Sequence, residues 1–215
     1  MTTSKTRVVV ITGGHLNTDL NVGVDDFVIV ADSGYDHAMA RSISVDLLIG
    51  DLDSISDTGL SHARGSGVEI QEHSAQKAQT DLELAVSAAV TRGADSIDIY
   101  GGEGGRLDHL LSAALSLANP AWGNVRIAWH TSSGVVRVAT PSQLLSVTVP
   151  VGQTVTLLPV GDAHSVTTSG LRWPLTDESL TRGVSRGVSN KAITNEVSIE
   201  VGRGTVLVII EGEEF

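Results

Sequence analysis

Five aspartates stand where a Val- and Ile-rich run ends or where the helical pattern behind it begins. Asp32 closes Phe27–Val28–Ile29–Val30–Ala31, and Asp51 and Asp53 close the run that ends at Gly50. Asp81 opens a helical pattern after Val68–Glu69–Ile70, and Asp108 opens another after Ile97–Asp98–Ile99–Tyr100. In an alternating strand–helix chain the parallel strands all end on one edge of the sheet, and ligands bind outside that edge. Carboxylates gathered there repel one another unless a cation sits among them. Within Gly50-Asp51-Leu52-Asp53-Ser54 the two acids are two residues apart, a spacing that points both the same way in extended backbone. Such a pair can reach one hard cation, and Mg²⁺ takes oxygen ligands while keeping several waters. One aspartate alone is ordinarily a turn residue or a helix cap; five in corresponding places are the informative pattern.

A second group of residues suits an anion. Gly101-Gly102-Glu103-Gly104-Gly105-Arg106-Leu107-Asp108-His109 lies between a strand pattern and a helix pattern. Glycines there let backbone N–H groups approach a phosphate, the helix start adds positive potential, and Arg106 can grip phosphate oxygens bidentately. The stretch is neither G-x-G-x-x-G nor G-x-x-x-x-G-K-[ST], so it is neither a dinucleotide-fold fingerprint nor a P-loop. Lys77 sits in the polar loop before Thr80-Asp81, where it can neutralise phosphate in an acidic site. His109 follows Asp108 and can orient it. The seven histidines show no metal-ligand spacing, and no G-x-S-x-G elbow occurs. Farther on, Trp173 in Gly170-Leu171-Arg172-Trp173-Pro174-Leu175 offers a stacking platform for an aromatic ring, with a cation–π contribution if that ring is charged. Ser189-Asn190, after a Gly-containing loop, can hydrogen-bond a heterocycle or form a turn.

The elements that must position these residues follow from periodicity. Short Val- and Ile-rich runs predict strands at 7–11, 27–31, 45–49, 68–71 and 96–100, with helices at 34–42, 81–92 and 107–118. In the middle helix Thr80 and Glu83 have capping-box spacing, Leu82, Ala85, Val86 and Ala89 recur at helical period, and Gly93 stops the pattern. This alternation predicts an α/β domain with a parallel sheet over residues 1–132. After Asn119-Pro120 only strand-like runs remain, at 125–130, 135–139, 143–149, 153–159, 164–168, 195–201 and 205–210, so residues 133–215 predict an all-β sandwich or barrel. The segment 176–192 lacks periodicity and predicts a loop.

Composition narrows the function. The net charge of −11 over 215 residues, with no basic run, argues against binding nucleic acid through its phosphates and suits a cationic or metal-complexed substrate. With no cysteine there is neither a disulfide nor a thiolate metal site. The four apolar residues Val8–Ile11 are too few for a signal-peptide core, and no apolar run approaches membrane-spanning length, so a soluble cytoplasmic protein is expected.

Six motifs, in order, resemble those of the thiamine pyrophosphokinase (thiamine diphosphokinase) family. They are Ala31-Asp32-Ser33-Gly34, Gly50-Asp51-Leu52-Asp53-Ser54, Lys77-x-x-Thr80-Asp81-x-Glu83, Gly104-Gly105-Arg106-Leu107-Asp108-His109, Gly170-Leu171-Arg172-Trp173-Pro174-Leu175 and Ser189-Asn190. The resemblance implies transfer of a pyrophosphoryl group from ATP to thiamine, giving thiamine diphosphate and AMP with Mg²⁺. It implies that Asp51, Asp53 and Asp81 hold the metal and that Asp108 joins them in catalysis. ATP would be held through Asp32, Lys77, Thr80, Gly104, Gly105 and Arg106, and the thiamine rings by Trp173, Ser189 and Asn190. It also implies a homodimer with composite sites. Two positions depart from the family's commoner residues: Ser33-Gly34 stands for Gly-Gly, and Ala113 for an Asn. Two rival readings are a haloacid-dehalogenase-like Mg²⁺-dependent phosphatase, whose D-x-D normally follows the first strand rather than the third, and a non-catalytic sensor of nucleotide or thiamine.

Overall fold

The computed structural model describes residues 6–76, 78–104 and 106–212; Lys77 and Gly105 lie outside the described residues. The chain divides into two compact units. One holds the chain up to Ser116 with Ala121–Ser132, and the other Leu117–Pro120 with the chain from Ser133 onward.

The first unit alternates strands and helices: β1 (Arg7–Ile11), β2 (Phe27–Ala31), α1 (Gly34–Ala40), β3 (Leu47–Gly50), α2 (Asp57–Ser66), β4 (Glu69–Glu72), α3 (Asp81–Thr91), β5 (Ser96–Tyr100), α4 (Leu107–Ser116) and β6 (Arg126–Thr131). Its sheet runs β6-β5-β1-β2-β3-β4, every pair parallel. The chain therefore builds outward from β1 through β2 and β3 to β4, then returns to lay β5 and β6 on the other side of β1. Strand order reverses between β1 and β5, the place where a doubly wound sheet opens a crevice.

Strands β2 and β3, and β1 after Arg7, are apolar because both faces are covered. Val9, Ile11, Val28, Val30 and Leu48 pack with Tyr35 and Ala38 of α1 and Ala63 of α2. Val8, Val10, Ile29, Leu47 and Ile49 alternate to the other face and are buried too. A right-handed crossover from β4 back to β5 puts α3 on that second face, and α3 lies against β1, β2 and β3. Its buried residues include the predicted Leu82, Ala85, Val86 and Ala89. Edge strand β4, by contrast, carries Glu69 and Glu72, charges that discourage pairing with another chain.

Helix α2 has no counterpart among the predicted elements. It contains Gly59 and Gly65 and buries only Gly59 and Ala63, so it lacks an apolar stripe. Its ends were the legible signal: the Ser56 side chain accepts the Gly59 N–H, and Gly67 stops the helix at φ 82°.

The second unit contains β7 (Gly134–Ala139), β8 (Leu145–Thr148), β9 (Thr154–Pro159), β10 (Ala163–Ser169), β11 (Glu178–Leu180), β12 (Asn190–Lys191), β13 (Glu196–Arg203) and β14 (Val206–Glu211). Antiparallel pairing gives the orders β12-β9-β14-β7 and β11-β10-β13-β8. The two layers bury Val155, Leu157, Val206 and Val208 with Val166, Val197, Ile199 and Val201, the alternating inward residues of a sandwich. The predicted loop 176–192 contains the short strands β11 and β12; two or three residues are too few to show a period. Among the described residues no helix is long and apolar enough to cross a membrane.

Candidate active site

The carboxyl ends of β1, β2, β3 and β5 and the starts of α3 and α4 surround a cleft of about 700 Å³. Asp32, Asp51, Asp53 and Asp81 line it together with Thr80, Gly104, Arg106 and Asp108. The aspartates predicted to converge therefore do so, from elements spread over most of the first unit.

Asp32 is the buried member, 8% exposed, and its backbone takes a left-handed φ of 45°. Its N–H donates to the Ile49 carbonyl at 3.1 Å, continuing the β2–β3 ladder past the strand end. Its Oδ1 accepts the Leu52 N–H at 2.9 Å. Burial raises the Asp32 carboxyl; the Leu52 bond lowers it; Asp81, by charge and by a shared hydrogen bond, and Asp51 raise it again, and the net result is about 7. Burial is the main cause of this displacement, and the neighbouring acids add to it.

Asp51 and Asp53 meet Asp32 by a route different from the predicted one. Strand β3 ends at Gly50, and Leu52 has φ 62°, so the D-x-D segment is a tight left-handed turn rather than extended backbone. The turn is held by Asp32 on Leu52 and by the Asp53 N–H, which donates to Asp51 Oδ1 at 3.4 Å. One ligand oxygen from each of Asp32, Asp51 and Asp53 lies within 4.8 Å of the others. This all-oxygen set fits a hard divalent cation, and it adds Asp32 to the Asp51 and Asp53 that the family resemblance names with Asp81. Asp81 sets its carboxyl against Asp32 and so borders the same cluster.

Gly50 is required by this packing. Its φ is 147°, and a Cβ placed there would lie 2.1 Å from Asp32 Oδ1.

Thr80 caps α3 through its hydroxyl, which accepts the Glu83 N–H at 3.2 Å, and thereby places Asp81 on the first turn. Across the cleft, Arg106 grips Asp108 with two bonds, Nε to Oδ1 at 3.1 Å and Nη2 to Oδ2 at 2.5 Å. Both side chains are well exposed, and the contact raises the Arg106 guanidinium and lowers the Asp108 carboxyl from their ordinary values. A solvated pair of this kind exchanges partners at little cost, so Arg106 is free to turn toward a phosphate. The His109 backbone N–H donates to Asp108 Oδ1 at 3.1 Å, and the His109 charge adds to the lowering of that carboxyl.

Sequence reasoning missed the segment Thr12-Gly13-Gly14, which follows β1 and lines the same cleft with Gly102 and Glu103. The two turns are zipped together: Gly102 N–H donates to Gly13 O at 2.8 Å, and His15 N–H to Glu103 O at 2.7 Å. A pair of glycines directly after the first strand was the available signal.

Trp173, Ser189 and Asn190 belong to the second unit. Trp173 is 49% exposed, with the Arg172 guanidinium 5.2 Å from its ring centroid. Asn190 is 2% exposed, and its amide is committed to the Trp173 backbone: Oδ1 accepts the Trp173 N–H at 3.1 Å, and Nδ2 donates to the Trp173 carbonyl at 2.7 Å. The Ser189 N–H donates to Thr156 Oγ1 at 2.9 Å, and its backbone is left-handed at φ 55°. Asn190 thus fixes the segment that presents Trp173.

Comparison with known proteins gives a consistent result. Residues 22–128 match the family model described as thiamin pyrophosphokinase, catalytic domain, and residues 142–206 match thiamin pyrophosphokinase, vitamin B1 binding domain. The chain is 26% identical over 161 residues to a thiamine pyrophosphokinase of Bacillus subtilis, covering 74% of this chain and 75% of that protein. Among solved structures, thiamine pyrophosphokinase from Bacillus subtilis superposes with a TM-score of 0.86 at 23% identity, covering 97% of this chain and all of that one. The enzyme from Candida albicans superposes at 0.75 and 15% identity, covering 96% and 90%. The structural likenesses speak for the fold.

Proposed function

This chain belongs to the thiamine pyrophosphokinase family and carries its activity, the transfer of a pyrophosphoryl group from ATP to thiamine; from that premise we propose how its residues divide the work. The observation that carries the proposal is the meeting of Asp32, Asp51 and Asp53 in one cleft with two glycine-rich turns at the switch point of the sheet. Phosphoryl transfer needs mostly positioning and charge stabilisation, and those are what such a cleft supplies.

Asp51, Asp53 and Asp81, the set the resemblance names, would hold Mg²⁺ together with Asp32. Bound there, Mg²⁺ would neutralise phosphate oxygens and let a polyanion enter an acidic cleft. The turns at Gly13-Gly14 and Gly102–Gly104 cradle the ATP phosphates, and Arg106 leaves Asp108 to clamp them. Lys77 and Gly105 belong to this nucleotide site on the family resemblance. The thiamine hydroxyl oxygen forms a bond to the β-phosphorus, and the bond from that phosphorus to the oxygen shared with the α-phosphorus breaks. AMP departs with that oxygen, and a cleft carboxylate accepts the hydroxyl proton. Trp173 stacks on the thiamine rings, held by Asn190, with Ser189 beside it. The cationic thiazolium suits a chain of net charge −11.

On the same resemblance the working form is a cytoplasmic homodimer in which the cleft of one subunit and Trp173 of the other serve one thiamine. The direct test is to incubate the protein with ATP, Mg²⁺ and thiamine and resolve the nucleotides chromatographically. AMP and thiamine diphosphate are expected, abolished by EDTA. ADP with thiamine monophosphate, or activity indifferent to EDTA, overturns the assignment.

A further inference from the structure

We propose that Glu103 is a positioning residue for nucleotide binding: its carboxylate tethers the glycine-rich turn after β5 to Ser132, where the chain leaves the α/β unit. The inference rests on the function proposed above for the cleft. It arises from a group that the reaction leaves without a task, since an acid beside a phosphate site ordinarily repels the ligand.

Both Glu103 oxygens are occupied. Oε2 accepts the Ser132 N–H at 2.6 Å, and Oε1 accepts the Ser132 hydroxyl at 2.9 Å. Hydrogen bonds to an ionised acceptor are short and about twice as strong as neutral ones. The Glu103 backbone is held as well, because its carbonyl accepts the His15 N–H at 2.7 Å. That approach is close enough that a Cβ at Gly14 would lie 2.6 Å from the same carbonyl. One residue therefore joins the turn after β1, the turn after β5 and the residue after β6. The neighbouring Gly101 carbonyl is fixed from the same direction, accepting the buried Trp129 indole N–H at 2.8 Å.

The functional consequence follows from glycine content. Four of the five residues 101–105 are glycine, and such a segment loses much conformational freedom on ordering. A turn held at Gly101, Gly102 and Glu103 has given up part of that freedom before the nucleotide arrives, so binding is tighter than to a free turn. The tether also draws the Glu103 charge onto Ser132.

The test compares Glu103→Ala, Glu103→Gln and Ser132→Ala. Gln keeps the length and two hydrogen-bonding atoms but not the charge, so it separates tethering from electrostatics. Affinity is measured calorimetrically with Mg²⁺ and the α,β-methylene analogue of ATP, which cannot undergo the transfer. Glu103→Ala should bind about tenfold more weakly, Ser132→Ala about threefold, and Glu103→Gln within twofold of wild type. In turnover the KM for ATP should rise in the same order, while kcat and the KM for thiamine change little. Unchanged affinity in Glu103→Ala overturns the tether, whatever happens to its melting temperature. Loss in Glu103→Gln equal to that in Glu103→Ala overturns it too, assigning a charge or metal role instead. If Glu103→Ala does not fold, the ranking of Ser132→Ala below Glu103→Gln decides. If wild type binds the analogue yet releases no AMP, the proposed function fails while the tether remains testable.

Discussion

The packing of Gly50 against Asp32 allows a quantitative test by a single methyl group. In Gly50→Ala the new Cβ would stand 2.1 Å from Asp32 Oδ1 and 2.7 Å from its Cγ. Ordinary contact requires the carboxylate to retreat by roughly 1 Å or more, and a misplacement of that size can cost about 100-fold in rate. The same retreat stretches the 2.9 Å bond from the Leu52 N–H that holds the D-x-D turn. Losing a hydrogen bond to a charged acceptor costs about 1.5–3 kcal/mol. An alanine held at φ 147° adds about 1–3 kcal/mol of backbone strain. Together these predict a loss of about 2.5–6 kcal/mol, which in a chain of this size lowers the melting temperature by roughly 10 °C or more. Turnover, followed as AMP released, should fall at least about 100-fold. Gly65→Ala is the control: it lies inside α2 with nothing within 4 Å of the added Cβ, so activity should hold and stability rise by about 0.5–1 kcal/mol. Gly50→Ala with turnover within about threefold of wild type and a melting temperature within about 2 °C would refute the claim that this glycine exists to admit the Asp32 carboxylate.

Three further outcomes are expected. Asp51→Asn and Asp53→Asn should each reduce turnover strongly at saturating Mg²⁺, and each should shrink the rise in melting temperature that Mg²⁺ with nucleotide produces in wild type; near-normal turnover in either counts against the metal assignment. Trp173→Ala should raise the KM for thiamine far more than that for ATP; mixing it with Asp53→Asn should recover activity in heterodimers, and flat activity after proven subunit exchange speaks against a shared site. Asp98 tests the scaffold: burial raises its carboxyl, but His130 at 2.6 Å and Arg7 at 2.7 Å lower it more, so the net shift is downward. A carboxyl lowered in the folded state contributes stability that is present above its unfolded value and lost as pH falls through the folded one. Asp98→Asn should therefore cost about 2 kcal/mol near pH 7, and the gap from wild type should narrow below about pH 4; a gap independent of pH excludes the ion pairs as its source.

What was legible in the sequence had local causes. Continuous Val and Ile runs specify buried parallel strands because both sheet faces are covered, and the leucine and alanine period of 82–89 specifies α3 because one stripe of a helix is buried. The acidic residues were legible as a group because strand ends in such a sheet share one edge. Helix α2 and strands β11 and β12 escaped notice because an element with two glycines, or with two or three residues, carries too little pattern. Only the tertiary structure decided which carboxylates meet. Leu52 turns left-handed and brings Asp53 back toward Asp32, a choice made by the Asp32–Leu52 hydrogen bond across twenty residues. It likewise decided that Asn190 supports Trp173 and that Glu103 reaches Ser132, partners 17 and 29 residues apart. Periodicity records which face of an element is buried; the partner a polar atom finds depends on the path of the whole chain.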